Sequence, residues 1–184
     1  EVLERWDEDK VHKWVDKQYW FQSFLWSPRR TDPDVIWDEL KKARFSGSRV
    51  LDVGCNYGLF SFLASKMGAS VVGFDKDKRA IETARIINDH IEMQDVKFST
   101  EEPSGSFEYI FYLSVHHQID PTYKHLAEKL DELRKKCMVA LFVELIRPPM
   151  FGDGVDVDAI VGGTKLVTYK HKLRGERTIY RIDV

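Results

Sequence analysis

Two aspartates on either side of a glycine-bearing turn have the clearest capacity for ligand chemistry in this sequence. Asp52 precedes Gly54-Cys55-Asn56-Tyr57-Gly58, and Asp75 lies about twenty residues beyond that turn. A carboxylate at a strand tip attracts a ligand ammonium group and repels a phosphate. A second one at the tip of the next strand can accept hydrogen bonds from both hydroxyls of a ribose. Gly54 frees the turn, and Gly58 lets backbone approach a ligand. The plainer roles for these residues are turn caps and a solvated strand-end acid. The spacing D-x-G-x-x-x-G departs from the G-x-G-x-x-G that cradles a pyrophosphate, since Asn56 replaces the middle glycine and Leu59 the last. A nicotinamide-dependent reductase is disfavoured.

These residues need a strand–turn–helix unit to position them, and the surrounding pattern supplies it. Ser48 to Val53 reads as a first strand, residues 59 to 67 as a short helix stopped by Gly68, and Val71 to Phe74 as a second strand ended by Asp75. Lys78 to Ile91 carries apolar residues at the 3.6-residue period of an amphipathic helix. Val96 to Phe98 and Phe107 to Ser114 read as further strands. Asp120-Pro121 predicts the start of a helix running to about Lys136, and Met138 to Ile146 is an apolar run suited to a strand buried on both faces. Lys165 to Lys172 and Arg177 to Val184 are strand-like and joined as a hairpin, with room for only a brief helix between residues 152 and 163.

The expected fold class is thus α/β: a three-layer α/β/α, Rossmann-like domain over residues 46–184 whose mostly parallel sheet ends in an antiparallel hairpin. Residues 1–45 differ in character. Trp6, Trp14, Trp20, Phe21, Phe24 and Trp26 crowd into two expected helices, followed by Arg29-Arg30 and a third helix from Pro33 to Arg44. We expect this segment to form a helical, aromatic-rich cap on one compact unit.

Bulk composition narrows the class. With 184 residues, 43% hydrophobic and 32% charged, the chain suits one globular domain rather than a disordered segment. It holds no apolar run long enough to cross a membrane as a helix. A formal charge of −2 provides no global field for nucleic acid, although a local basic patch would still allow it. Cys55 and Cys137 have no metal-ligand or disulfide spacing, and no metal is expected. With no secretory layout at the N-terminus, the expected compartment is the cytoplasm.

The segment VLDVGCNYG, with VVGFD after it, resembles the first two motifs of class I methyltransferases that use S-adenosylmethionine (SAM), and FYLSVHH resembles the fourth. The resemblance implies that Asp52, Gly54 and Gly58 line the methionine end of the cofactor and that Asp75 binds ribose. It also implies that Cys55, Asn56 and Tyr57, Lys76 after Asp75, and Ser114 at the fourth motif stand around the cofactor. GLFSFLASKMGASVVGFD, LSVHHQID and LFVELI further resemble the methyltransferase module of bacterial O-antigen chain terminators, which methylates a phosphate on a glycan end. That likeness makes Arg30, or its neighbour Arg29, a candidate for the SAM carboxylate or an anionic acceptor. No counterpart of the kinase that accompanies that module is found in the sequence. A weaker likeness is to tRNA wobble-uridine modifying enzymes. Family members usually carry an acidic or polar residue after the third strand for the adenine amine; here the chain reads Phe98-Ser99-Thr100-Glu101-Glu102, and the adenine contact has no assigned residue.

The implied reaction transfers a methyl group to an acceptor that is a small molecule, a glycan or phosphate, or RNA. Alignment of nucleophile, methyl and sulfur supplies most of such catalysis, and a general base is needed mainly for a hydroxyl or protonated amine. His117 or His116 suits that role, because imidazole titrates near neutral pH. The plainer reading of both is pocket shaping. A competing reading keeps the fold and cofactor pocket but makes the chain a non-catalytic binding or sensor protein.

Overall fold

The computed structural model describes residues 33–146, 155–171 and 175–184. The expected aromatic helices, Arg29, Arg30 and the tip of the C-terminal hairpin lie outside those residues.

Seven strands form one sheet in the order β3-β2-β1-β4-β5-β7-β6. They are β1 (Arg49–Val53), β2 (Ser70–Phe74), β3 (Val96–Ser99), β4 (Phe107–Leu113), β5 (Cys137–Ile146), β6 (Thr164–His171) and β7 (Gly175–Asp183). The first five run parallel; β7 is antiparallel to β5, and β6 to β7. The three-layer α/β expectation and its antiparallel end are therefore met. The last strand inserts between β5 and β6 because Ile179, Tyr180 and Ile182 are buried on alternating sides, which suits an inner strand. Thr164, Lys165, Thr168 and Lys170 leave β6 polar enough to serve as the edge.

Helices cover both faces. One carries α1 (Pro33–Leu40), α2 (Leu59–Lys66) and α3 (Lys78–Ile91), and the other α4 (His116–Ile119), α5 (Leu126–Lys136) and α6 (Val157–Val161). Two apolar clusters follow from this division, one around Ile36, Phe45, Phe62, Phe111 and Phe142, the other around Leu51, Tyr112, Leu130, Leu141 and Tyr180. Helix α3 has the bounds its periodicity predicts. Its first turn is capped by Asp77, whose carboxylate accepts the Arg79 amide at 2.9 Å and the Ala80 amide at 3.4 Å.

The expected helix from Asp120-Pro121 is corrected. Asp120 Oδ1 accepts the Thr122 amide at 3.0 Å and the Thr122 hydroxyl at 2.6 Å, Oδ2 accepts the His125 amide at 2.8 Å, and Tyr123 takes a left-handed φ of 59°. The side chain thus stabilises a turn, as aspartate does in competition with helix. Helix α5 begins only at Leu126, and His116–Ile119 forms a separate turn of helix. Strand β5 is also less enclosed than its apolar run suggests, since Met138 and Val139 are exposed near its start.

Candidate functional site

The order of the sheet reverses between β1 and β4, and crevices of open α/β sheets form outside the strand ends at such a point. The turn leaving β1 enters this crevice. It is tied to the end of β2 by the Gly54 and Cys55 amides, which donate to the Phe74 carbonyl at 2.7 and 3.0 Å. Gly54 has φ 72°, and a Cβ there would lie 2.3 Å from a Val115 methyl. Gly58 has φ 88°, and a Cβ there would lie 2.5 Å from the Phe98 ring. Both positions therefore require glycine for conformation and for space. Asn56, at φ 51°, is left-handed as well, which asparagine tolerates better than most residues.

Asp75 binds this turn to the next helix. Its Oδ2 accepts the Asn56 amide and its Oδ1 the Asp77 amide, each at 2.9 Å. Each oxygen retains a lone pair, and the residue is only half-buried. Asp52 is buried on the α2 side of β1, where Ser61 Oγ donates to its Oδ2 at 2.7 Å. Burial pushes its pKa up to about 7; the Ser61 bond opposes the rise and the nearby Asp75 charge adds to it. The two carboxylates thus share one electrostatic neighbourhood. Cys55 is buried beneath the turn, its thiol pKa raised by burial and then by both aspartates, which marks a packing residue rather than a nucleophile. Tyr57 is half-buried against the first apolar cluster.

A cavity of about 170 Å³ lies over this turn, with Gly54, Asn56, Asp75, Lys76 and Gln118 as its polar wall. Val53, Phe74, Val115 and Ile119 form the apolar wall. A second cavity of about 350 Å³ shares Val53, Phe74, Lys76 and Ile119 and extends to Glu102, His116 and His125. Asp52 lines neither; it lies beneath the turn.

The fourth motif is divided by the structure. Ser114 leaves β4 with a left-handed φ of 58° and points its hydroxyl at Glu144 and Arg177, away from the residues that line the first cavity. His116 is buried between Tyr112 and Tyr123, with the Tyr123 ring centre 5.1 Å away and the Tyr112 hydroxyl 3.0 Å from its Nδ1. Its Nε2 stands 3.6 Å from Asp120, too far for a hydrogen bond. Burial lowers its pKa against the opposing pull of Asp120. His117 is half-buried at the start of α4.

Sequence reasoning did not find Ser61, Val115, Tyr169 or Arg177, and it left Glu144 without a role. Glu144 alone carried a signal: it is the one acid within MVALFVELI, and a charge inside an apolar strand requires a partner. Among the described residues, no group of three or more His, Cys, Asp or Glu is arranged to hold a metal ion.

The profile of a family described as a methyltransferase domain matches residues 26–147. The chain belongs to this methyltransferase family. Ubiquinone biosynthesis O-methyltransferase of Hahella chejuensis is 38% identical to it over 80 residues, which is 43% of this chain and 32% of that protein. Ribosomal protein L11 methyltransferase of Thermosipho melanesiensis is 52% identical over 46 residues, 24% of this chain and 18% of that protein. The chain thus spans about a third or less of the length of these curated relatives. The bifunctional kinase-methyltransferase WbdD superposes with a TM-score of 0.70 at 20% identity, over 96% of this chain and 46% of that one. Magnesium protoporphyrin IX methyltransferase from Synechocystis PCC 6803, solved with bound SAM, gives 0.65 at 16% identity, over 96% of this chain and 78% of that one. These neighbours share the Rossmann-like methyltransferase fold.

Proposed function

We propose that the crevice over β1, β2 and β4 binds SAM and presents its methyl group to an acceptor held toward β4 and the N-terminal segment. The observation that carries this reading is Asp75: its carboxylate is pinned by the Asn56 and Asp77 amides yet faces the cavity, ready to accept a ribose diol. The residues fit the cofactor in two further respects. Val53, Phe74, Val115 and Ile119 offer an apolar wall to a purine ring. Asp52 lies beneath the turn, and its carboxyl, whose pKa burial raises, acts on an ammonium group in the cavity through charge at a distance, not by contact.

When bound, SAM supplies a methyl group made electrophilic by its sulfonium. The chain's own residues bind and orient. Gly54 and Gly58 let the turn take its left-handed conformation and pack closely on Val115 and Phe98, and Asn56 and Lys76 border the ribose end. Ser114 shapes the far wall, and Arg30 of the cap meets a carboxylate or an anionic acceptor. His117 takes the proton of a hydroxyl acceptor, since His116 is committed to Tyr112 and the aromatic cluster. The protein works in the cytoplasm; among the described residues no helix is long and apolar enough to cross a membrane.

Calorimetric titration with S-adenosylhomocysteine (SAH) tests the core of this reading. We expect saturable binding that Asp75→Ala weakens, and absence of heat and of a thermal shift at millimolar ligand would overturn it. Transfer of labelled methyl into extract fractions separated as small molecules, glycans, RNA and proteins then identifies the acceptor. With that acceptor, His117→Ala lowers turnover by about a hundredfold or more where deprotonation is required. Unchanged turnover removes the base.

A further inference from the structure

Four side chains, three from strands β5, β6 and β7 and one from the turn that leaves β4, meet at the carboxyl ends of β4 and β5. Glu144 and Arg177 are each 1% exposed and pair at 2.9 Å. Glu144 also accepts the hydroxyls of Ser114 and Tyr169, and Arg177 Nη1 donates to Ser114 Oγ at 2.5 Å. Arg177 Nε is buried without an acceptor.

A buried ion pair is weak evidence for stability, because well-packed apolar residues of similar volume often serve as well. The missing acceptor on Nε weakens the case for stability further. What the pair does is visible at Ser114. Serine rarely adopts a left-handed conformation, since its Cβ crowds the following carbonyl. Here φ is 58°, and the residue is held from several directions. Its amide donates to the Glu144 carbonyl at 3.4 Å, its hydroxyl lies between Glu144 and Arg177, and its carbonyl accepts Gln118 Nε2 at 3.0 Å. The next residue, Val115, forms part of the cofactor-side cavity wall and presses against Gly54 so closely that a Cβ there would meet it at 2.3 Å.

We propose that Glu144 and Arg177, assisted by Tyr169, are positioning residues: they clamp Ser114 in its left-handed conformation and thereby seat Val115 against Gly54, setting the shape of the cofactor cavity. This rests on the proposed cofactor site. A bent turn held by surrounding structure is a common way to store strain where geometry matters, and the clamp links the C-terminal hairpin to the turn after β1.

Three variants separate positioning from mere support. Ser114→Gly relieves the left-handed strain and deletes the clamped hydroxyl; Ser114→Ala deletes only the hydroxyl; Glu144→Gln combined with Arg177→Met replaces the pair without leaving a lone buried charge. Each is assayed for thermal midpoint, SAH affinity, and the NMR resonances of the Val115 methyls and Gly54 amide in ligand-free protein. We expect midpoints for Ser114→Gly and the double variant within a few degrees of wild type, shifted Val115 and Gly54 resonances, and SAH affinity weakened about tenfold. Lowered midpoints with unmoved resonances and unchanged affinity would overturn the clamp in favour of a structural role. Shifted resonances in a protein whose wild type fails to bind SAH would support the clamp and sink the cofactor reading instead.

Discussion

The two sides of the crevice are built by opposite means. On the β1–β2 side the site consists of short-range parts: glycines that leave room, backbone amides, and Asp75 tying residues 56 and 77 together. On the β4–β5 side it depends on Ser114, Glu144, Tyr169 and Arg177, which are far apart in sequence and meet only in the folded sheet. The first side is prepared for a ligand by what is missing from it, the second by a buried polar network that forces one residue into an unusual conformation. Local chemistry can be read from spacing, but a network of this kind depends on strand order.

Filling the missing space should produce the largest effect. Gly54→Ala places a methyl against Val115 and imposes a left-handed conformation on alanine. We expect about 2–4 kcal/mol of lost stability, read from urea midpoints, together with loss of SAH binding. A midpoint near wild type would mean that the two sides do not touch as tightly as described.

Asp75→Ala comes next. Loss of the proposed ribose bonds should weaken SAH by about 1–3 kcal/mol, or roughly ten- to a hundredfold, measured by calorimetry. An affinity loss with little change in thermal midpoint would sharpen the contrast, because it would show that this side serves the ligand more than the fold.

The third prediction uses pH. Asp52 has a folded pKa of about 7, above its ordinary 3.8, because burial disfavours its charge. The folded state therefore holds a proton that the unfolded state has released, so this residue's stabilisation is full below about pH 4 and is lost as pH rises through about 7. Asp52→Asn should flatten that part of the stability–pH curve. If an ammonium group binds near the carboxylate, SAH affinity in the wild type should rise toward pH 7 with proton release, detectable as a dependence of binding heat on buffer ionisation. Heat that is the same in every buffer would place the ammonium elsewhere.

The smallest effect is expected at Lys76, which is exposed at the rim of both cavities. Lys76→Ala should alter SAH affinity by less than about 1 kcal/mol, and any difference should fade in high salt. A larger, salt-resistant loss would give the rim a specific contact.

Much of the framework was legible because it follows from local rules. Helix α3 repeats its apolar residues Ala80, Ile81, Ala84 and Ile87 on one face, and an aspartate precedes it as cap. The glycine turn announced itself through Asp52, Gly54 and Gly58. The segment after β4 misled for a physical reason: Asp120 can cap a helix or close a turn, and packing of the His116 ring against Tyr112 and Tyr123 accompanies the turn. Glu144 had no role legible in the sequence because its partner, Arg177, is supplied from β7.

By itself the sequence determined the strand–turn–helix unit, the two carboxylates flanking it, and the alternation that calls for a parallel sheet, since each depends on neighbours within a few residues and on the periods of strand and helix. Tertiary structure alone decided that β7 lies inside the sheet, that Arg177 thereby reaches Glu144 and Ser114, and that Val115 comes to rest on Gly54. Those contacts depend on which strands lie side by side, and hydrophobic periodicity specifies a buried face without naming its neighbour.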